Sequence, residues 1–539
     1  MERYGDDEHG YMRARDMVPV LCIALGCRNS NANDVYIAQF ATGLGGGSDC
    51  ENALPYNFFN NAGKWSGVTG TGDAIGPGTT VHLCGIFTGP IGGTSPFLRF
   101  QGSGTTANPI RLLFEPNAVI TSAYWGTTVI DIGNVSNVIV DGGSNGLIQA
   151  TLGGSPGALC LEGACQYSPT TYAGAGVGIG ASNNVEIKKV TVSNLYIHLG
   201  TGDDLNGNSA GIAIGGLGSD ISIHDNIIHD VYAGIWAQYD ERKESNYSIY
   251  GNHIYNVNWG IAGGDARAGS SLSGLLVYGN QIHDFVNWNT SSNTFHHDGI
   301  FFWAQQTGSS IRAPIAIYNN TIYGNFGSAN CTAGLYLQKG YSGQTIDSVF
   351  VFNNVIDISG WCGYGVIALN NIQSNSQIFN NTLSNGLLFG PSGQGSAAVL
   401  ANNVWLSAQP GQGMYSTEAG IQASDYNDWY NLSVNAFYYN SMWYKSLANW
   451  RTSTGFDQNS ITLFPNLNLA YQPRLGSPLI GAGKNLTSIC SGQPNPGIGA
   501  LCFDAAGRPR HASEAWDIGA YQGARPAPAP PSGLRADPH

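Results

Sequence analysis

Charge is what this chain of 539 residues has least of: Asp, Glu, Lys and Arg together make up 11%, less than half the usual ~25%. Lys and Arg number 22 against 35 Asp and Glu, a formal charge of −13. A nucleic-acid binder needs clustered Lys and Arg, and that class is excluded. Glu, Lys, Leu and Ala, the material of coiled coils and helical solenoids, are scarce as well. Past the N-terminal segment no stretch reaches the ~20 continuous apolar residues of a membrane span. No CxxC spacing with a nearby His pair marks a zinc site. Gly, by contrast, is abundant at 75 residues, roughly twice the usual ~7%, but not on the three-residue period of collagen. With 42% hydrophobic and 11% aromatic residues the chain can build a core, which argues against disorder. What remains is an exported all-β protein with many turns.

The apolar run from Met17 to Cys27 follows Arg13 and Arg15 and reads as the h-region of a secretory leader, so residues 1–29 are expected to be leader. The eight later Cys fall in sequence-local pairs: Cys50 with Cys84, Cys160 with Cys165, Cys331 with Cys362, Cys490 with Cys502. Four such pairs in a charge-poor chain predict disulfides formed in an oxidising compartment, secreted, periplasmic or at a bacterial cell surface.

Internal repetition decides the fold class. Between about residues 176 and 405 two short patterns alternate. One opens a strand with Gly and an aliphatic: GIAIGG at Gly211, GIWAQY at Gly234, GIAGGD at Gly260, GIFFWAQ at Gly299, GLYLQK at Gly334, GVIALN at Gly365. The other alternates apolar residues and ends in Asn, at positions 226, 252, 280, 320, 354, 381 and 403. Apolar period 2 means short strands, and such a unit buries its apolar face only by stacking on copies of itself. The recurrent Asn predicts a ladder of side-chain amides bonding to the coils above and below. Gly at the strand start is expected to supply a backbone conformation that other residues resist.

This pattern resembles the right-handed parallel β-helix of secreted polysaccharide lyases, polygalacturonases and related proteins, over roughly residues 75–405. The opening VYIAQ…GGGSDCENA…IGPGTTVHLCGIFTG and the closing SPLIGAGKNL…DAAGRPR…WDIGAYQG are similar to the ends of bacterial secreted β-helix proteins. The fold expected is all-β, a right-handed parallel β-helix with an N-terminal cap and a C-terminal β-rich extension. Its parts are 30–125 for the cap and first coils, 126–410 for the repeats, 411–523 for the capping segment, and 524–539 for a disordered Pro-rich tail. GDD at Asp203-Asp204 resembles polygalacturonases, but their NTDG, GHG and RIK strings are absent. HHDG at His296 resembles the DPHD string of mannuronan epimerases only faintly.

Because charge is scarce, its clustering points to candidate sites. With Ile212, Ile235, Ile261, Ile300 and Leu335 inward, the next residues, Ala213, Trp236, Ala262, Phe301 and Tyr336, face out. Two further on stand Gly215, Gln238, Gly264, Trp303 and Gln338. The aromatic members of that face suit stacking on the apolar faces of sugar rings, so Trp236, Trp303 and Tyr336 are expected substrate contacts. Just beyond lie Tyr239, Asp240, Glu241, Arg242, Lys243 and Glu244, then Asp265 and Arg267, then Lys339. Asp240 and Asp265 fall on adjacent coils, ~4.8 Å apart along the stack. That is near the separation of paired glycosidase carboxylates, with one pKa raised by repulsion. Tyr239, Arg242, Arg267 and Lys339 would bind substrate or orient the carboxylates. A Ca2+ site from Asp240, Glu241 and Asp265 is a third reading of the cluster; otherwise no cofactor or metal is expected. A second cluster, His296-His297-Asp298, ends the longest insertion of the repeat, with His297 and Asp298 as a reserve acid–base pair. It sits roughly 23 Å from Asp240 along the strand direction.

The expected function is a carbohydrate-active enzyme cleaving a polysaccharide in the groove, as a glycoside hydrolase using Asp240 and Asp265. A polysaccharide lyase or uronate epimerase, with Lys339, Lys243 or His297 as base, is the alternative. A non-catalytic glycan-binding β-helix is the reading from a different class. The expected partner is the polysaccharide, with no membrane span, for a chain acting as a monomer or homo-oligomer.

Overall fold

A computed structural model describes residues 34–524, apart from 69–73, 153–159, 162–163, 166–173, 196–208, 241–242, 286–295, 327–330, 341–342, 360–361, 363–364, 373–374, 385–387, 391–396 and 407–412. The leader, the tail, Arg242, Glu241 and Asp203-Asp204 lie outside the described residues.

The chain forms a parallel β-helix. One long sheet steps coil by coil from Asp34–Ala38 to Ile421–Asp425 in parallel pairs, with register shifts at Ser273/Leu275 and at Ala398/Val399. The remaining faces are built by strands that also stack in parallel, such as Ile227–Gln238, His253–Gly264, His297–Ala304 and Cys331–Lys339. In those strands Ile212, Ile235, Ile261, Ile300, Leu335 and Ile367 pair in one column. All are fully buried in the central core, as the period-2 reading requires.

The amide ladder is present and runs one coil further than the sequence pattern suggested. Asn226, Asn252, Asn280, Asn320, Asn354, Asn381 and Asn403 each donate Nδ2 to the Oδ1 of the next, at 2.9 to 3.1 Å, and the series ends on Asn427. Each Nδ2 also reaches a main-chain carbonyl of a neighbouring coil, as Asn320 does to Val277 at 2.9 Å. The residue before each ladder Asn is left-handed, for instance Gly251 (φ 64), Asn319 (φ 55) and Asn353 (φ 56). That explains the recurrent GN and NN pairs, because Gly and Asn tolerate this region best.

The strand-start glycines do something different from what was expected. At Gly211, Gly234, Gly260, Gly299 and Gly334 the need is space. A Cβ on Gly260 would lie 2.4 Å from the Gly299 carbonyl oxygen and 2.5 Å from Ile282 Cγ2. Gly234 and Gly299 are similarly hemmed in. Gly365 alone in this series has a positive φ, of 80°.

Disulfides join Cys50 to Cys84, Cys331 to Cys362 and Cys490 to Cys502. Cys160 and Cys165 face each other across a short antiparallel pair, with side chains outside those described. After the hairpin Phe437–Tyr439/Met442–Tyr444 the helix Leu447–Thr454 starts on Ser446, whose side chain accepts from Asn449 N, and stops at left-handed Gly455. Asp457 anchors this end by accepting from the indole N–H groups of Trp429 (3.0 Å) and Trp450 (2.8 Å). The chain then turns back along the outside of the long sheet, where Leu486, Leu501 and Trp516 cover Tyr318 and Phe352. Among the described residues no helix is long and apolar enough to cross a membrane.

Candidate active site

The outward faces of the strands around residues 210–215, 233–238, 259–264, 298–303 and 333–338 carry a second apolar cluster, separate from the central core. It contains Tyr232, Trp259, Phe301 and Tyr336, with Trp236 and Trp303 partly open against it. Ring pairs knit it together: Trp236 on Trp259 at 5.4 Å, Phe301 on Trp303 at 4.6 Å and Phe301 on Tyr336 at 4.8 Å. Offset stacks of this kind add about 0.5–1.5 kcal/mol each. Trp303 lies flat across Gly264, where a Cβ would come within 1.9 Å of the indole. The expected aromatic face therefore exists. Trp236 and Trp303 are its open members, whereas Tyr336 is buried within it and accepts at its hydroxyl from Asn370 Nδ2 at 3.2 Å.

Tyr232 and Trp259 were not anticipated, and the reason is a change of phase at the strand-start glycine. Ala233, Trp259 and Ala333 belong to the outer cluster, yet Ile235, Ile261 and Leu335, two residues later, belong to the central core. Strict alternation would put both on one side. Asp298 pairs in register with Trp259 and Ala333 and thus shares this outer column.

That phase change also corrects the expected His297–Asp298 pair. His297 is fully buried and pairs with Cys331 of the central core. His296 is the partner instead: its Nδ1 forms a short hydrogen bond with Asp298 Oδ2. Asp298 is fully buried, and its Oδ1 accepts the Ala333 N–H at 3.1 Å. The His296 side chain is 35% exposed, edge-on to Phe301 at 4.9 Å and to Tyr336 at 6.1 Å. Its carbonyl accepts the Trp259 indole N–H. Burial raises the Asp298 pKa against the pull of His296 and the Ala333 N–H. Burial lowers that of His296, but the Asp298 charge and hydrogen bond outweigh it, and the net direction is upward. With Nδ1–H donated to Asp298, Nε2 is the nitrogen left to exchange a proton.

The charged cluster at the other end of the same strands is closed. Asp240 is 5% exposed and is gripped by Arg267, Nε to Oδ1 at 2.5 Å and Nη2 to Oδ2 at 2.8 Å. The Arg267 side chain is more than half exposed. Asp265 pairs in register with Tyr239 rather than Asp240, and its Oδ2 accepts the main-chain N–H groups of Gln305 and Gln306. Both carboxylates are thus bound to the next coil. Tyr239, expected at the substrate, lies in the central core with its hydroxyl donating to the Trp303 carbonyl at 2.7 Å. Lys339 is buried too, and burial lowers its pKa. Both follow from the alternation that places Ile235, Ala237 and Leu335, Leu337 inside. Glu244, in the same corner, accepts from Leu217 N at 3.0 Å, and burial pushes its carboxyl up to about 7. Among the described residues no group of three or more His, Cys, Asp or Glu is placed to hold a metal ion; Glu241, the third member of the Ca2+ reading, lies outside them.

No protein-family model matches the chain, and no curated protein matches it in sequence. Among solved structures it is similar to pectate lyase Pel9A, at 15% identity and a TM-score of 0.48, over 92% of this chain and 98% of that one. A GH136 lacto-N-biosidase from Eubacterium ramulus matches at 12% identity and a TM-score of 0.46, over 71% of this chain and 65% of that one. A PL6-family alginate lyase matches at 12% identity and a TM-score of 0.37, over 86% and 63%. These likenesses stand beside the strand registers, which establish the parallel β-helix on their own.

Proposed function

We propose that this chain is an exported carbohydrate-active enzyme in which His296, held by Asp298, moves the proton, and Trp236 and Trp303 seat the sugar. One observation carries the reading: a half-open imidazole locked by a fully buried carboxylate in the middle of an aromatic face. Sugar rings present apolar C–H faces to aromatics, while an Asp-oriented imidazole is a general base worth about 10²–10⁴-fold in rate.

The reaction class favoured is β-elimination at a uronic acid residue. His296 Nε2 would take the proton from C5, whose electron pair becomes the C4–C5 double bond as the C4–O bond breaks. The departing oxygen is then protonated by the imidazolium. Elimination needs one base in the groove. Hydrolysis needs two carboxylates about 5–9.5 Å apart on either side of the bond, and Asp240 and Asp265 are both engaged elsewhere. The three described disulfides fit an oxidising compartment.

The test is a screen of neutral and uronic polysaccharides, with and without added Ca2+, read by absorbance of unsaturated ends and by reducing-end release. Unsaturated products that vanish in His296→Ala support the reading. Reducing ends without unsaturation would replace elimination by hydrolysis, and binding without turnover on every glycan would remove the enzymatic reading.

A further inference from the structure

The outward column that holds the aromatic face does not end at Tyr336. Trp236, Ala262, Phe301, Tyr336 and Ala368 pair in turn across successive coils. Ala368 pairs on to Phe389, then Tyr415, then Tyr438, and the closing hairpin sets Trp443 opposite Tyr438. Alternation holds to the end: Met414, Phe437 and Tyr444 belong to the central core, while Tyr415, Tyr438 and Trp443 face out. The three rings form a ladder, Tyr415 on Tyr438 at 4.6 Å and Tyr438 on Trp443 at 4.7 Å. Four strand steps of ~4.8 Å put Tyr438 roughly 19 Å from Tyr336 along the stack.

Stacking covers part of Tyr415 and Tyr438, and Trp443, the last ring, is 47% exposed. A ladder of rings ending in one this open is contiguous apolar surface of the kind that marks a binding site. Lys445, the residue after Tyr444, is exposed as well and brings a positive charge to this end. Towards the N-terminal end the same column reads Ala213, Gly178, Asp131 and Arg99, the last two joined by a salt bridge at 2.8 Å. Aromatic support therefore continues on one side of His296 only, the C-terminal side.

We infer that Tyr415, Tyr438 and Trp443 form a second sugar-binding platform, on which the same anionic polysaccharide rests several sugar residues away from His296. This platform presupposes that the groove beside His296 takes a glycan, and it sets the length of chain recognised. One polysaccharide strand lying along the coil stack meets Trp236 and Trp303 with one segment and Trp443 with another. There the apolar C–H face of a sugar lies on the open indole, and Lys445 attracts the uronate carboxylates. The two contacts reinforce each other, because once one segment is held the second binds intramolecularly. A polymer gains from both sites, whereas a trisaccharide is too short to bridge them and gains from one.

The experiment is affinity electrophoresis of the full chain in gels cast with polygalacturonate or alginate, beside turnover of each polymer and of its trisaccharide. Trp443→Ala should weaken retention by the polymer at least about tenfold and raise its KM, with kcat and the trisaccharide's kcat/KM within about twofold of wild type. Should Trp443→Ala unfold, Lys445→Glu, a change on the exposed surface, must weaken retention in its place. Polymer retention of Trp443→Ala at wild-type strength overturns the platform whatever the turnover, as does an equal loss for polymer and trisaccharide. No retention of the wild-type chain by either polymer overturns it too. So does light scattering that finds a dimer dissolved by Trp443→Ala, which would make a second copy of the chain the occupant. Trp443-dependent retention without turnover keeps the platform and removes the proposed elimination, so the two failures are told apart.

Discussion

The strands that carry the aromatic face end in charged groups on both sides, and the two ends differ in what their carboxylates are bonded to. At the far end Asp240 is clasped by Arg267 and Asp265 by two main-chain N–H groups, all of them groups of the coil stack. At the near end Asp298 spends its charge on His296, whose ring edge reaches solvent between Phe301 and Tyr336. The first arrangement ties one coil to the next. The second leaves a basic nitrogen poised over an apolar platform. Density of charge in the sequence favoured the first; the bonding pattern favours the second.

The comparison can be broken most sharply through Asp298. Asp298→Asn should lower turnover about 10²-fold or more, because the amide cannot hold the imidazole in its working tautomer and charge state. Turnover by the wild-type chain should rise with pH through an apparent pKa above 6.5, since a base must be deprotonated and Asp298 raises the pKa of His296. A pH profile of kcat/KM in which that limb falls instead of rising would make His296 an acid.

Gly264→Ala sharpens the near end. Its Cβ would collide with Trp303, so the indole must leave the face. A loss of glycan affinity of about tenfold is expected, at roughly 1–1.5 kcal/mol, measured by affinity electrophoresis with the turnover substrate. At the far end, Asp240→Ala should cost about 1–2 kcal/mol of stability, because Arg267 loses a charge-assisted bond but remains half in water. Its kcat should stay within about twofold of wild type, since no rate effect of order 10² is assigned to this corner.

Glu244 gives the smallest effect. Its carboxyl is raised to about 7 in the fold against an ordinary ~4.3 unfolded, so the folded state favours the protonated form. The stability this confers is full below pH ~4.3 and is lost as pH rises through about 7. Chemical denaturation across that window should therefore show Glu244→Gln overtaking wild type at alkaline pH, by about 1 kcal/mol.

Much of the fold was legible because the repeat reports on itself. The Gly-aliphatic column gave the coil register from Ile212 to Leu335, and the Asn series gave the amide ladder; at the next coil the register slips by one, so that Ile367 and not Val366 pairs with Leu335. The left-handed residue before each rung, Asn353 before Asn354 for instance, was seen only in the structure. The candidate site was half legible. Trp236 and Trp303 were read on the outer face from the period-2 count, as the structure has them, and Asp298 was singled out by scarce charge alone. Choosing between His296 and His297 was beyond pattern, because counting back by twos from Ile300 puts His297 outside. The chain reverses its sides across Gly299, a change of phase forced by close packing against the Gly334 carbonyl. Tyr239 and Lys339 were misplaced for the opposite reason. Their polarity suggested the groove, although alternation already put them in the core, where Tyr239 satisfies its hydroxyl on the Trp303 carbonyl.

The most direct measurement is turnover of one glycan by three chains in parallel: wild type, His296→Ala and Asp240→Asn, followed by absorbance of unsaturated ends. The open-end account predicts that His296→Ala falls at least about 10²-fold while Asp240→Asn keeps near-wild-type kcat with a lower unfolding temperature. An inactive Asp240→Asn beside an active His296→Ala would contradict it.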